Sequence, residues 1–162
     1  MNWYVLYTAP KKEKVLSTLF QKNEIEHYLP LRVELRQWSD RKKKVEMVLF
    51  PSYIFVRIEK ENFYDVLKFD GAVRFIHLEG KPAAVRDTDI EAIKRFLSLG
   101  IHFDIETDEI IAGKKVKIMG GPLIDLEGEC VSDSNAEYFV IRIDAINQNL
   151  KVKIQKHLVK AI

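Results

Sequence analysis

The sequence predicts an α+β protein in two parts. The first is an N-terminal antiparallel sheet flanked by helices, and the second is a small C-terminal β-barrel. Two observations carry this. Up to Gly100 the apolar patterns follow the order β-α-β-β-α-β-α, which suits helices laid on an antiparallel sheet. After Gly100 the helical spacing stops, and short Val- and Ile-rich runs follow, separated by Gly, Asn or Asp. Closely spaced short strands favour a barrel over helices. The sequence thus places one domain at residues 1–100, a linker at 101–110 and a second domain at 111–162.

The elements follow in order. "WYVLYTAP" reads as a first strand. Pro10 opens "PKKEKVLSTLFQKN", where Val15, Leu16, Leu19 and Phe20 fall at helical spacing. "EHYLPLRVELRQW" and "VEMVLFPSYIFVRI" read as two strands joined by the polar turn "SDRKKK", a hairpin. Pro51 inside the second marks a strand edge, a start or a bulge. Beyond it Tyr53, Phe55 and Arg57 alternate with Ile54, Val56 and Ile58, so one face is aromatic and the other aliphatic. Asn62 is placed to cap a short helix that ends near Asp70 and Gly71. "AVRFIHL" is a fourth strand. In "DTDIEAIKRFLSLG", Thr88 and Glu91 have capping-box spacing, Ile90, Ile93 and Leu97 form a stripe, and Gly100 stops the helix. "IHFDIETDEI" is acidic and aperiodic, as in a linker. "KKVKIM", "GECVSD", "YFVIRIDAI" and "LKVKIQ" are the barrel strands.

Composition narrows the function classes. The chain has 162 residues, 47% of them hydrophobic, enough for an ordinary core. No apolar run reaches transmembrane length, and the start lacks the pattern of a signal peptide. One cysteine, Cys130, permits no internal disulfide, and its apolar strand context suits a buried inert thiol. The chain reads as cytoplasmic. The net charge of +2 is not that of a histone-like binder, so any nucleic-acid contact must come from local clusters. The four histidines pair with no His or Cys at metal-ligand spacing, and no P-loop, GxSxG or HExxH motif occurs. The expectation is a protein that is not an enzyme, with no metal and no cofactor.

Three surface features remain. Lys11, Lys12 and Lys14 crowd the start of the first helix. Cations there oppose the helix dipole, each costing a few tenths of a kcal/mol, roughly, which favours a phosphate-facing role. Arg41, Lys42, Lys43 and Lys44 sit at the hairpin tip and read either as a solvated turn or as a nucleic-acid contact. The face bearing Tyr53 and Phe55 reads either as a helix-covered core face or as a binding patch.

"AGKKVKIMGGPLIDLEGECV" resembles a KOW motif. Gly121 and Pro122 set a tight turn, and Gly128 supplies the freedom of the next bend. "WYVLYTAPKKEK", "YLPL", "LFPSYIFVRI" and "GAVRFI" stand before it in order and at compatible spacing. Together they resemble the NusG family of transcription elongation factors, across nearly the whole chain. "RQWSDRKKKVE" looks like the specialised UpxY-type antiterminators of capsule-polysaccharide operons, of which RfaH is a more distant relative.

The resemblance implies an NGN-like N-terminal domain that grips the clamp helices of the largest RNA polymerase subunit. It implies Tyr7, Tyr53, Phe55 and Phe75 as polymerase-binding residues, with suppression of pausing or termination as the outcome. It also implies a monomer, contact with non-template or upstream DNA, and a KOW domain that meets Rho or a ribosomal protein. There are departures. "EKENFYDV" lacks the His-Thr-Thr stretch of RfaH, Asp70 stands before Gly71 where RfaH has arginine, and Leu126 stands where an aromatic is common. The rival reading is a KOW-containing RNA- or ribosome-binding protein acting in translation, which would not need the aromatic patch.

Overall fold

The computed structural model describes residues 1–107, 113–133 and 136–162. The last residues of the expected linker, 108–110, lie outside the described residues, as do 111 and 112. By its contacts the chain forms two compact units, Met1–Ala84 and Val85–Ile162. It is a mixed α/β protein with antiparallel sheets and, among the described residues, three α-helices.

In the first unit, β1 (Asn2–Thr8) leads to α1 (Glu13–Lys22), then β2 (His27–Tyr28), β3 (Leu31–Gln37), β4 (Lys42–Val48) and β5 (Tyr53–Ile58). These are followed by α2 (Phe63–Leu67), β6 (Ala72–Phe75), β7 (His77–Leu78) and β8 (Lys81–Pro82). The main sheet runs β2-β5-β1-β6, each neighbour antiparallel.

Helix α1 starts later than Pro10 suggests. Lys11 is left-handed, with φ 64°, and such a residue cannot lie inside a right-handed helix. Lys11 and Lys12 therefore precede the helix, with Lys12 at the cap position. Its first residue, Glu13, is a carboxylate at the positive end of the helix dipole. That carboxylate is buried and accepts the Ser52 N–H at 3.2 Å.

Two of the expected long strands are broken. The first splits at Leu29 and Pro30 into β2 and β3, and the second splits at residues 49–52 into β4 and β5. Pro30 and Pro51 have no N–H for a ladder, and Ser52 has φ 70°. The Leu49 N–H donates to the Pro30 carbonyl at 3.0 Å, joining the two breaks. As a result β2 and β5 enter the main sheet, while β3 and β4 form a separate two-stranded ribbon. The strand expected over "AVRFIHL" likewise divides into β6 and β7, and β7 turns back onto β8. Glu79 and Gly80 both have positive φ, 52° and 77°, the combination a tight two-residue hairpin turn requires. Asn62 occupies the cap position of α2, but its side chain makes no capping bond.

Strand β9 (Ala84–Val85) spans the boundary between the units, and α3 (Asp87–Ser98) follows in the second. Thr88 lies inside α3, so the expected capping box does not form, and Arg86 holds the cap position. Asp87 and Asp89 complement the dipole in the first turn, and Gly100, at φ 63°, ends the helix. The rest is β10 (Asp104–Glu106), β11 (Lys114–Ile118), β12 (Glu127–Asp133), β13 (Ala136–Ile143), β14 (Gln148–Ile154) and β15 (Val159–Ala161). They make an antiparallel sheet in the order β10-β14-β13-β12-β11-β15. Its buried side includes Val116, Ile118, Phe139, Ile141, Leu150 and Val152. Asp104–Glu106 shows no strand period in sequence, because an edge strand three residues long is too short to display one.

Candidate functional site

The register of the first sheet sorts its side chains. Leu6 on β1 stands opposite Ile54 on β5 and Phe75 on β6, and Tyr4 stands opposite Val56. This face joins Leu16 and Phe20 of α1 and Val66 of α2 in one buried cluster. The aliphatic face of β5 is therefore the helix-covered one.

The other face carries Trp3, Val5 and Tyr7 from β1, Tyr53, Phe55 and Arg57 from β5, and Arg74 from β6. It changes character along the strands. Trp3, Val5 and Phe55 are buried, with Phe55 stacked near Tyr28 at 6.4 Å between ring centroids and edge-on to Phe50 at 6.2 Å. At its far end the face opens. Tyr53 and Tyr7 are directly paired, are only partly buried, and lie 5.7 Å apart between centroids. Arg74, paired with Tyr7 from the other side, is exposed and places its guanidinium 5.5 Å from the Tyr7 ring. The three form a row across β5, β1 and β6. Two amphipathic rings and a planar cation can offer a partner both apolar area and a charge.

Of the four aromatics singled out in sequence, the structure brings Tyr7 and Tyr53 together at the open end. Phe55 shares their face but is fully buried. Phe75 lies on the opposite face, buried and stacked 3.9 Å from Phe63 between centroids. Sequence reasoning missed Arg74. The signal was available, because Arg74 next to Phe75 in a strand must point the other way.

The turn before β5 fixes the row. Thr8 N–H donates to the Ser52 carbonyl at 2.8 Å, and Tyr53 N–H to the Phe50 carbonyl at 3.2 Å. With the Glu13 bond to Ser52, these hold Ser52, the residue just before β5, from both β1 and α1.

The basic clusters separate. Lys12 lies 3.7 Å from Asp70, and Lys14 donates to the Glu46 carbonyl at 2.7 Å, which ties α1 to the hairpin. Lys11 is exposed. Lys12 also sits against Gly71, where a Cβ would come within 2.9 Å of the Lys12 Cβ. These three lysines thus point to different neighbours and form no single cradle. Arg41, Lys42, Lys43 and Lys44 are all exposed on the β3–β4 ribbon.

In the second unit, Gly121 (φ 83°) and Pro122 build a turn closed by the Ile124 N–H on the Gly121 carbonyl at 3.2 Å. Gly128 works differently from the bend expected. It lies within β12, and a Cβ there would fall 2.7 Å from the Phe139 ring, so the ring occupies the missing side chain's place. The Cys130 thiol donates to Glu137 at 3.2 Å, and burial, then Glu137, push its pKa up to about 11. A thiol held protonated is a poor nucleophile.

A family model described as transcription termination factor NusG matches residues 1–94. The chain belongs to the NusG family. The matched span contains the whole Tyr53–Tyr7–Arg74 row and the β3–β4 ribbon. Among solved structures, the chain is similar to NusG of Thermotoga maritima, described for its domain interaction, with 21% identity over 99% of this chain and 97% of that one, TM-score 0.49. It is also similar to a chain of the MjSpt4:Spt5 complex in conformation A, with 14% identity over 99% and 97%, TM-score 0.30. Conformation B of that complex matches at 15% identity over 99% and 96%, TM-score 0.29. No curated protein matches the chain. No helix among the described residues is long and apolar enough to cross a membrane.

Proposed function

We propose that this NusG-family chain is a non-enzymatic, cytoplasmic transcription elongation factor that acts as a monomer. It binds the clamp helices of the largest RNA polymerase subunit through the open end of its first sheet and suppresses pausing or termination. The observation that carries the reading is the row of Tyr53, Tyr7 and Arg74, two neighbouring rings and a cation at the open end of a face on which Trp3, Val5 and Phe55 are buried. Exposed aromatics and arginine are the side chains that most often anchor a protein partner, and a pair of helices presents ridges that such a row can straddle. Phe55 supports the row from within, and Phe75 belongs to the core behind it.

The mechanism is linkage. A factor that binds the closed clamp more tightly than the open one stabilises the closed, elongating form by that difference in affinity. No cofactor enters. The stretch "RQWSDRKKKVE" supports an UpxY-type or RfaH-like specialisation and regulation of capsule-polysaccharide operons. We read residues 111–162 as a KOW-like barrel that serves a further protein partner, Rho or a ribosomal protein.

The test is a pull-down with purified chain against cell lysate, followed by transcription in vitro across a terminator. Polymerase subunits should be retained, and readthrough should rise. Retention of ribosomal proteins alone would replace this reading with a translational one, and lowered readthrough would reverse the sign of the effect. Genome-wide mapping of the bound protein then names the operons.

A further inference from the structure

We propose that two copies of this chain pair along the free edge of β3, joining two ribbons into one four-stranded antiparallel sheet in the order β4-β3-β3-β4. The pair is a state of the free protein. It does not rest on the polymerase reading, in which a single copy acts.

The first observation is an open edge. Among the described residues the ribbon pairs with no other strand, so β3 and β4 each have one side without a ladder. Trp38 and Arg41 exchange both backbone bonds, at 2.8 and 3.3 Å, and the Leu49 N–H donates to the Pro30 carbonyl. Bonded pairs alternate along an antiparallel ladder. Arg32, Glu34 and Arg36 therefore turn their backbone groups toward β4, whereas Leu31, Val33 and Leu35 turn theirs outward. On β4 the same alternation turns the Glu46 carbonyl outward, where Lys14 Nζ donates to it at 2.7 Å. That strand also carries Lys42, Lys43 and Lys44, and lysines keep an edge from pairing. Strand β3 has no lysine.

The second is the order of side chains. Residues 31–35 read Leu-Arg-Val-Glu-Leu, which is complementary to itself when reversed. With Val33 opposite the partner's Val33, Leu31 stands opposite the partner's Leu35 and Arg32 opposite the partner's Glu34, each twice by two-fold symmetry. The backbone fits this register. The three apolar positions become the bonded pairs, and Arg32 and Glu34 fall at the non-bonded pairs, where opposing side chains come closest. A slip of one residue sets an outward-facing backbone group against an inward-facing one. The next allowed registers set Glu34 or Arg32 against itself, and like charges directly opposite destabilise a ladder.

The third is exposure. Val33 is 59% and Leu35 67% exposed, two positions apart on one face of the ribbon. Pairing gathers both, with Leu31, into one apolar stripe across the two copies. Glu34 lies 3.7 Å from Arg36 on its own strand, and an exposed pair of that kind is weak enough to be shared with a second arginine. A single short edge makes a small interface, so the association is of the weak, reversible class.

Full-length protein is followed by sedimentation equilibrium over a rising series of concentrations. The average mass should climb from that of one chain toward that of two. Arg32→Glu, and separately Glu34→Arg, sets like charges opposite each other at both symmetric positions and should weaken association roughly tenfold or more. Mixed in equal amounts, the two variants are complementary to each other, and association should return. It should also return in the chain that carries both substitutions. A folding defect is not repaired by mixing, so this arm separates pairing from stability. Val33→Pro removes the central outward N–H while sparing the bonds to β4, and should hold the protein as one chain. The mass of one chain at every concentration would overturn the proposal. So would an Arg32→Glu protein that associates unchanged, or mixed variants that stay apart.

Discussion

The two faces of the first sheet use the same kinds of residue to opposite ends. On one, Tyr4, Leu6, Ile54, Val56 and Phe75 disappear beneath α1 and α2. On the other, Trp3, Val5 and Phe55 are just as deeply buried, yet Tyr7, Tyr53 and Arg74 at one end of the same strands meet solvent. Strand alternation decides which face a residue occupies, whereas position along the strand decides whether it is core or solvent-facing. An aromatic on the face away from α1 and α2 is therefore not yet an exposed one.

The sharpest way to break this contrast is to truncate the buried aromatics. Phe75→Ala and Phe55→Ala should each destabilise the fold by about 3–5 kcal/mol, since both remove a buried ring. Urea unfolding of the full chain measures it. A Phe55→Ala protein with a near-native midpoint would mean that Phe55 belongs to the open end with the tyrosines.

Next in size is the open end itself. Tyr7→Ala with Tyr53→Ala should weaken polymerase binding by about 2–4 kcal/mol, while stability falls by no more than about 1 kcal/mol. Binding measured by interferometry alongside the urea midpoint separates the two effects. Loss of stability without loss of affinity would turn the row into ordinary packing.

Much of this was legible in the sequence. The faces of β5 follow from alternation, and Gly100 stops α3 because only a left-handed residue fits there. The strand breaks were less legible. Pro51 was visible, but its effect depends on Ser52 taking φ 70° and on Glu13, far along the chain, receiving the Ser52 N–H. The separation of the lysines was invisible, because it rests on Asp70 and on the Glu46 carbonyl, distant in sequence. Gly128 shows the same limit. It reads as a bend, but tertiary packing gives its place to the Phe139 ring.

Gly128 gives the third test, and it extends the contrast to the second unit. Gly128→Ala should destabilise by about 1–3 kcal/mol through overpacking against Phe139. Gly121→Ala, strained by its φ of 83° but in an open turn, should lose about 1 kcal/mol. If the two prove equal, backbone freedom rather than close approach is what both glycines supply.

The smallest expected effect belongs to Arg74, and it probes the row most finely. Its guanidinium lies over Tyr7, and among the described residues no carboxylate pairs with it. A cation over an exposed ring contributes about 0.5–1 kcal/mol, so Arg74→Ala should barely move the folding midpoint. Its effect on polymerase binding depends on whether the partner presents an acidic group. With such a group the variant loses about 1 kcal/mol of affinity, and the difference from the unaltered chain shrinks as salt rises, because exposed charges are screened. Arg74→Lys keeps the charge but not the planar stacking on the ring, so it should recover only part of the affinity. A cycle with Tyr7→Ala completes the test: residues acting as one unit give a coupling of about 0.5 kcal/mol or more. Additive effects would mean that the ring and the cation meet different parts of the partner, and the row would divide into two separate anchors.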